Sequence, residues 1–179
     1  ERFLRCVVSN TGMPTGGGFG KKRFEFWASV KSQQMPDWGE MMAEYVSGRK
    51  LTDYEKKVYN APYPDESYKP ATRIYPQLIP ITDEHMSVEE NKGAWRRVFS
   101  RFTKPLITIF GKHDAISTGG EKIWITICPG AKGQKHKIID AGHFIQEDAP
   151  ELLCELLIEF VNDNPVEYNP PFAEFNSSL

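Results

Sequence analysis

A histidine stands on the glycine-containing turn Asp140-Ala141-Gly142-His143-Phe144, after an apolar run ending at Ile139 and before a helical pattern that starts at Pro150. Twenty-nine residues upstream of it, the apolar run from Pro105 to Phe110 leads into Gly111-Lys112-His113-Asp114. An imidazole past one strand and a carboxylate past the preceding one are the base and acid of a hydrolytic triad. The carboxylate orients the ring and compensates the charge that the ring gains on taking a proton. Taken singly, each residue has a structural alternative: His143 packs in a turn, or Asp114 caps the segment near Ser117. Their joint occurrence after successive strands favours the triad.

Rival candidates have weaker surroundings. Asp140 could contest the acid's role, but it ends a strand and suits stabilising the turn. His85, His113 and His136 are expected on the surface or in loops. Glu147 and Asp148 are expected to open the final helix, where negative charge complements the helix dipole. No residue has the context of the third triad member, a nucleophile on a sharp strand-to-helix elbow, which precedes acid and base in one common chain order. The sequence is therefore read as the carboxyl-terminal part of a longer enzyme, expected to aggregate or stay partly unfolded if expressed alone.

The elements that must position these residues are legible. Phe3 to Asn10 is a β-rich run closed by Asn10-Thr11-Gly12, and Pro105 to Gly111 is an uninterrupted apolar strand of the kind covered by helices on both faces. Lys135 to Ile139 gives a third strand. Between the first two, residues 21 to 79 read as short helices: one with Phe24, Phe26, Trp27 and Val30, one with Met41, Met42, Tyr45 and Val46, and one opened by Thr52 with Glu55 completing a capping box. Prolines at 62, 64, 70, 76 and 80 punctuate the chain beyond the third of these helices. Glu89 to Phe102 carries Trp95, Val98, Phe99 and Phe102 at helical spacing, residues 119 to 127 are a short amphipathic segment, and Leu152, Leu153, Leu156, Leu157, Phe160 and Val161 mark a closing helix.

Strands separated by helices imply parallel pairing with right-handed crossovers. The fold class expected is α/β, the carboxyl-terminal part of an α/β-hydrolase with a doubly wound, mostly parallel sheet and a helical cap inserted between strands. In these terms residues 1–12 are a core strand and loop, 13–88 the cap, 89–162 the part of the core with acid and base, and 163–179 a loose tail.

Composition excludes several functions. The chain has 179 residues, a net charge of -2 and a pI near 6.1, so neither nucleic acid nor an anionic membrane is expected as partner. No apolar run approaches the roughly 18 residues that span a bilayer. The stretch from Thr15 to Gly20 lacks the Lys-Ser/Thr of a phosphate loop and reads as a connector. Cys6, Cys128 and Cys154 are too dispersed for a disulfide framework or a zinc site, and are expected as buried reduced thiols in a cytoplasmic protein.

Five segments carry a resemblance to a known family: Asn60 to Tyr68, Arg73 to Pro80, Phe110 to Glu121, Pro129 to Gln134, and Ala141 to Pro150. Together they resemble the haloalkane dehalogenases, and the likeness runs from Arg2 to about Asn162. The resemblance implies an aspartate nucleophile that displaces halide and forms an alkyl ester, which histidine-activated water then hydrolyses to the alcohol. His143 matches the family's base and Asp114 the acid of one subgroup; where another subgroup carries its acid, this chain has Asn10.

The resemblance also implies two indole N–H donors for the halide. One would lie upstream beside the nucleophile, and Phe24-Glu25-Phe26-Trp27 matches the lid motif that supplies the other, Trp27, although Trp27 could instead pack the lid. Trp38, Trp95 and Trp124 read as packing residues. Phe24, Pro76, Ile79, Ile116 and Phe144 fall at or near positions lining the family's apolar pocket, which suits a small halogenated hydrophobic substrate. The chemistry requires water and no metal or organic cofactor. An epoxide hydrolase, using lid tyrosines, and a truncated chain without catalysis are the competing readings.

Overall fold

Residues 3–17, 37–45 and 49–166 are described by the structure, a computed structural model. The expected lid helix with Phe24, Phe26, Trp27 and Val30, and most of the expected tail, lie outside them.

Three strands form one sheet in the order β1 (Cys6–Ser9), β2 (Leu106–Gly111), β3 (Lys137–Ile139). All pairing is parallel: Cys6 lies against Leu106, Ser9 against Ile109, and Ile109 to Gly111 against Lys137 to Ile139. Every residue of β2 is buried, because it is the middle strand and both its faces are covered. The strand's two-residue period sends Leu106 and Phe110 to one face, with Val8, Trp95, Trp124 and Cys128, and Ile107 and Ile109 to the other, with Ile139, Ile145, Leu156 and Phe160.

The first face is closed by α4 (Val88–Arg97) and α5 (Glu121–Ile127). In α4, Glu89 and Glu90 stand in the first turn and Arg96 and Arg97 in the last, each complementing the helix dipole. Trp95 meets Trp124 at a ring separation of 4.6 Å, and the two indoles donate to the carbonyls of Met13 and Thr11. Two tryptophans expected to pack therefore also pin the loop that leaves β1.

The second face is closed by α7 (Pro150–Asp163). Only part of its expected apolar stripe is inside: Leu156 and Phe160 are buried and Leu153 and Leu157 half-buried, whereas Leu152 and Val161 are exposed. Cys154 is exposed too, unlike the buried thiol expected, while Cys128 is buried. Glu147 and Asp148 do not open this helix. They end a separate short helix, α6 (Ile145–Asp148), and the break at Ala149 (φ −146°, ψ 57°) follows from Pro150, which disfavours a helical residue before it and starts the next helix itself.

Between β1 and α4 lie α1 (Trp38–Tyr45), α2 (Asp53–Asn60) and α3 (Pro70–Ile74). Asp37 Oδ1 accepts from the Glu40 N–H and caps α1. The capping box of α2 is complete: Thr52 Oγ1 accepts from the Glu55 N–H, and Glu55 Oε2 accepts from the Thr52 N–H at 2.7 Å. Bonds from the Trp38 N–H to Asn60 Oδ1 and from Lys56 to Glu40 join α1 to α2. Among the described residues, no helix is long and apolar enough to cross a membrane.

Candidate active site

The loops leaving β1, β2 and β3 meet at the carboxyl ends of the strands, where open parallel sheets form their ligand crevices. Asn10 comes from the first, Asp114 from the second and His143 from the third. Asp114 Oδ1 stands 3.0 Å from His143 Nδ1. Sequence separation of 29 residues is thus closed by the parallel pairing of β2 with β3.

Asp114 is 1 % exposed, and a buried carboxylate requires several donors. It has them. Oδ1 accepts from the Ile116 N–H at 2.8 Å, and Oδ2 accepts from the Ser117 N–H at 3.2 Å and from the Ser117 hydroxyl. Burial pushes its pKa up, but the bonds from His143, Ser117 and Ile116 more than offset this and hold it below the usual carboxylate value. An anionic Asp114 therefore faces Nδ1 and favours the tautomer with the proton there. Nε2 then carries the lone pair that a general base uses. The capping reading and the pairing reading of Asp114 turn out to be one arrangement, since different lone pairs serve each.

The base loop is held from several sides. Gly142 N–H donates to Asp148 Oδ2 at 2.6 Å, closing the turn around His143. Gly111, at the end of β2, packs so closely against the carbonyls of Ala141 and Gly142 that a Cβ there would overlap them. Glu147 takes hydrogen bonds from the Tyr59 hydroxyl and from Arg49, the latter at 2.9 Å. Arg49 also reaches the Glu147 carbonyl and Glu55. Glu147 thus ties the α1–α2 region to the base loop, a role invisible to helix-dipole reasoning because its partners lie about 90 residues upstream.

An open cleft of about 530 Å³ adjoins the pair, lined by His143, Asn10, Ile79, Ile116, Ile123 and the segments around Met13 and Thr118. Two of the residues matched to an apolar pocket, Ile79 and Ile116, line this cleft. Phe144 meets the His143 ring edge-on, with centroids 5.0 Å apart, and lies against Met42 and Leu51. Phe24 and Trp27, and the side chain of Pro76, lie outside the described residues.

The other histidines and Asp140 are engaged elsewhere. His113 Nε2 pairs with Asp140 Oδ1 at 2.6 Å on the surface. His85 Nε2 meets the Gln77 carbonyl on the surface. His136, in the loop before β3, is half-buried: Nδ1 accepts from the Thr108 N–H at 3.1 Å and Nε2 donates to the Ala131 carbonyl. It fills a backbone position that the short β3 leaves uncovered. Burial pushes the Cys6 thiol up and the Cys128 thiol to about 11, so neither is an activated nucleophile. Among the described residues, no group of three or more His, Cys, Asp or Glu could hold a metal ion.

No family model matches the chain. It is similar to a haloalkane dehalogenase of Psychrobacter cryohalolentis, 40 % identical over 92 % of this chain and 54 % of the relative. It is also similar to a haloalkane dehalogenase of Mycobacterium marinum, 36 % identical over 89 % of this chain and 54 % of the relative. The chain spans about half the length of the curated relatives it matches. Among solved structures, a tetrameric haloalkane dehalogenase from Paraglaciecola agarilytica superposes with a TM-score of 0.74 at 23 % identity, covering 88 % of this chain and 52 % of that one. A haloalkane dehalogenase from Agrobacterium tumefaciens does so with a TM-score of 0.64 at 15 % identity, covering 90 % and 56 %. These likenesses show the α/β-hydrolase fold.

Proposed function

We propose that this chain, a homologue of the haloalkane dehalogenases, is the carboxyl-terminal half of an enzyme that hydrolyses carbon–halogen bonds, with His143 as general base and Asp114 as its acid partner. The observation that carries the proposal is the Nδ1 contact of His143 with a buried, multiply bonded carboxylate beside an apolar cleft, in a chain with these relatives.

In the first step a carboxylate from the amino-terminal half attacks the carbon bearing the halogen. A C–O bond forms, and the C–X pair leaves as halide, received by the indole N–H of Trp27 in a site where water is scarce. In the second step Nε2 of His143 takes a proton from water while Asp114 stabilises the growing imidazolium charge. Hydroxide attacks the ester carbonyl, the C–O bond to the alkyl group breaks and the alkoxide takes the proton held on Nε2 to leave as alcohol, and the new carboxylic acid loses its proton to regenerate the carboxylate. The balance is haloalkane plus water to alcohol, halide and one proton. No metal or organic cofactor enters it.

Residues 13–88 act as the cap over a core formed by residues 1–12 and 89–162. The bonds of Arg49 and Tyr59 to Glu147 and the packing of Phe144 on Met42 and Leu51 support this division. Ile79 and Ile116 offer substrate an apolar wall, and Phe24, Pro76 and Phe144 complete the pocket or its support.

The test is made on the chain extended at its amino terminus to the length of its relatives. Incubation with 1-bromobutane should release bromide and acid in equal amounts, and halide should quench tryptophan fluorescence in a manner lost in Trp27→Phe. Hydrolysis of a simple epoxide without bromide release would replace this reading by that of an epoxide hydrolase.

A further inference from the structure

Asn10 stands where β1 stops, with φ at 38°, a left-handed conformation that asparagine tolerates better than most residues. It is 8 % exposed, and both its amide nitrogen and its amide oxygen are engaged. Oδ1 accepts from the Gly111 N–H at 2.8 Å, and Nδ2 donates to the Gly142 carbonyl at 2.8 Å and the His143 carbonyl at 2.7 Å. One side chain therefore joins the ends of all three strands. The orientation follows from the partners, because a flipped amide would set Nδ2 against an N–H and Oδ1 against two carbonyls.

We propose that Asn10 is a positioning residue for the base. It holds the backbone of His143 at a fixed distance from the end of β2, three residues before Asp114, and so sets the Nδ1 to Oδ1 contact. Only an amide of this length supplies an acceptor toward Gly111 and two donors toward the base loop. Aspartate matches its shape but lacks both donors, and would bring a carboxylate against two carbonyl oxygens. In the dehalogenase reading, on which the kinetic part of the proposal rests, Asn10 acts through His143 chiefly on ester hydrolysis, the step that uses the base.

The experiment compares the amino-terminally extended chain with Asn10→Asp and with Asn10→Gly, the latter accepting a positive φ without strain. Rapid mixing with 1-bromobutane gives the bromide burst, which also counts the folded enzyme, and intact-mass measurement gives the alkyl-enzyme. The expected result is ester hydrolysis slowed about 10- to 100-fold more than the bromide burst, with the adduct accumulating. Hydrolysis at the parent's rate, or an equal loss in both steps, overturns the proposal.

A readout independent of activity separates the two claims. The His143 Nδ1 proton should give a downfield NMR resonance in the parent that broadens or disappears in both variants, and its persistence in both would overturn the role of Asn10. A parent that shows this resonance but releases no bromide would sink the dehalogenase reading alone.

Discussion

Replacing Asp114 by asparagine should damage stability and chemistry together, and the sizes of both losses follow from its contacts. The carboxylate accepts from two backbone N–H groups, one hydroxyl and one imidazole while almost wholly buried. An amide at the same place has one acceptor oxygen. If that oxygen serves His143 and Ile116, the NH₂ group faces the Ser117 N–H; if it serves Ser117, the NH₂ group faces the Ile116 N–H. Either way one buried N–H is stranded, at about 1–3 kcal/mol, and the surviving bonds lose the charge that strengthened them. A total near 3 kcal/mol, about the top of that range, is expected from urea unfolding of the amino-terminally extended chain. In chemistry, neutralising the acid of a comparable triad lowers turnover about 10⁴-fold, since the imidazole loses its orientation and its compensating charge. Stopped-flow measurement with a bromoalkane should place that loss in ester hydrolysis and spare the bromide burst. If Asp114 served only as a cap, the stranded N–H would cost the same stability, but hydrolysis would stay within about tenfold of the parent. That rate would rule out Asp114 as the acid.

Four further outcomes are expected. Asp114 and Glu55, the latter lowered to about 2 first by its bond from Arg49 and then by those from Thr52, both titrate lower folded than unfolded. Their stabilisation is therefore complete above about pH 5 and lost as pH falls through the folded values, so unfolding free energy should decline from about pH 5 to about pH 2, less steeply in Asp114→Asn. Glu147→Gln removes the Arg49 ion pair and a charged acceptor for Tyr59; it should cost about 1 kcal/mol or less and raise KM more than it lowers kcat. Ultraviolet titration should find the Tyr59 hydroxyl near 12, raised by burial and then by Glu147, and lower in Glu147→Gln. Gly111→Ala drives a methyl into the Ala141 and Gly142 carbonyls, and should cost about 1–3 kcal/mol in thermal or urea unfolding and slow hydrolysis by displacing the base loop.

What could be read from the sequence were the local patterns. The run at 106–110, apolar but for Thr108, announced a strand covered on both faces, Thr52 with Glu55 announced a helix start, and the placing of Asp114 and His143 past successive strands announced their contact. The rest depends on partners distant along the chain. The tie from Asn10 to the base loop spans more than 130 residues, and that from Glu147 to Tyr59 spans 88. Residue type alone gave Glu147 a generic place in a helix's first turn, and only the fold brings Arg49 and Tyr59 against it. His136 lies in a loop, as expected, but its bond from the Thr108 N–H, 28 residues upstream, forms only once β2 and β3 pair. The apolar stripe of α7 was overread at Leu152 and Val161 because periodicity marks a face without showing how far the sheet extends beneath it.

The proposed mechanism turns on His143 serving the second chemical step and not the first. Intact-mass measurement of His143→Gln, in the amino-terminally extended chain mixed with excess 1-bromobutane, separates the two steps in a single experiment. The expected spectrum shows one butyl group retained per molecule and one equivalent of bromide released. An unmodified protein mass, with or without continued bromide release, would be incompatible with that division of labour.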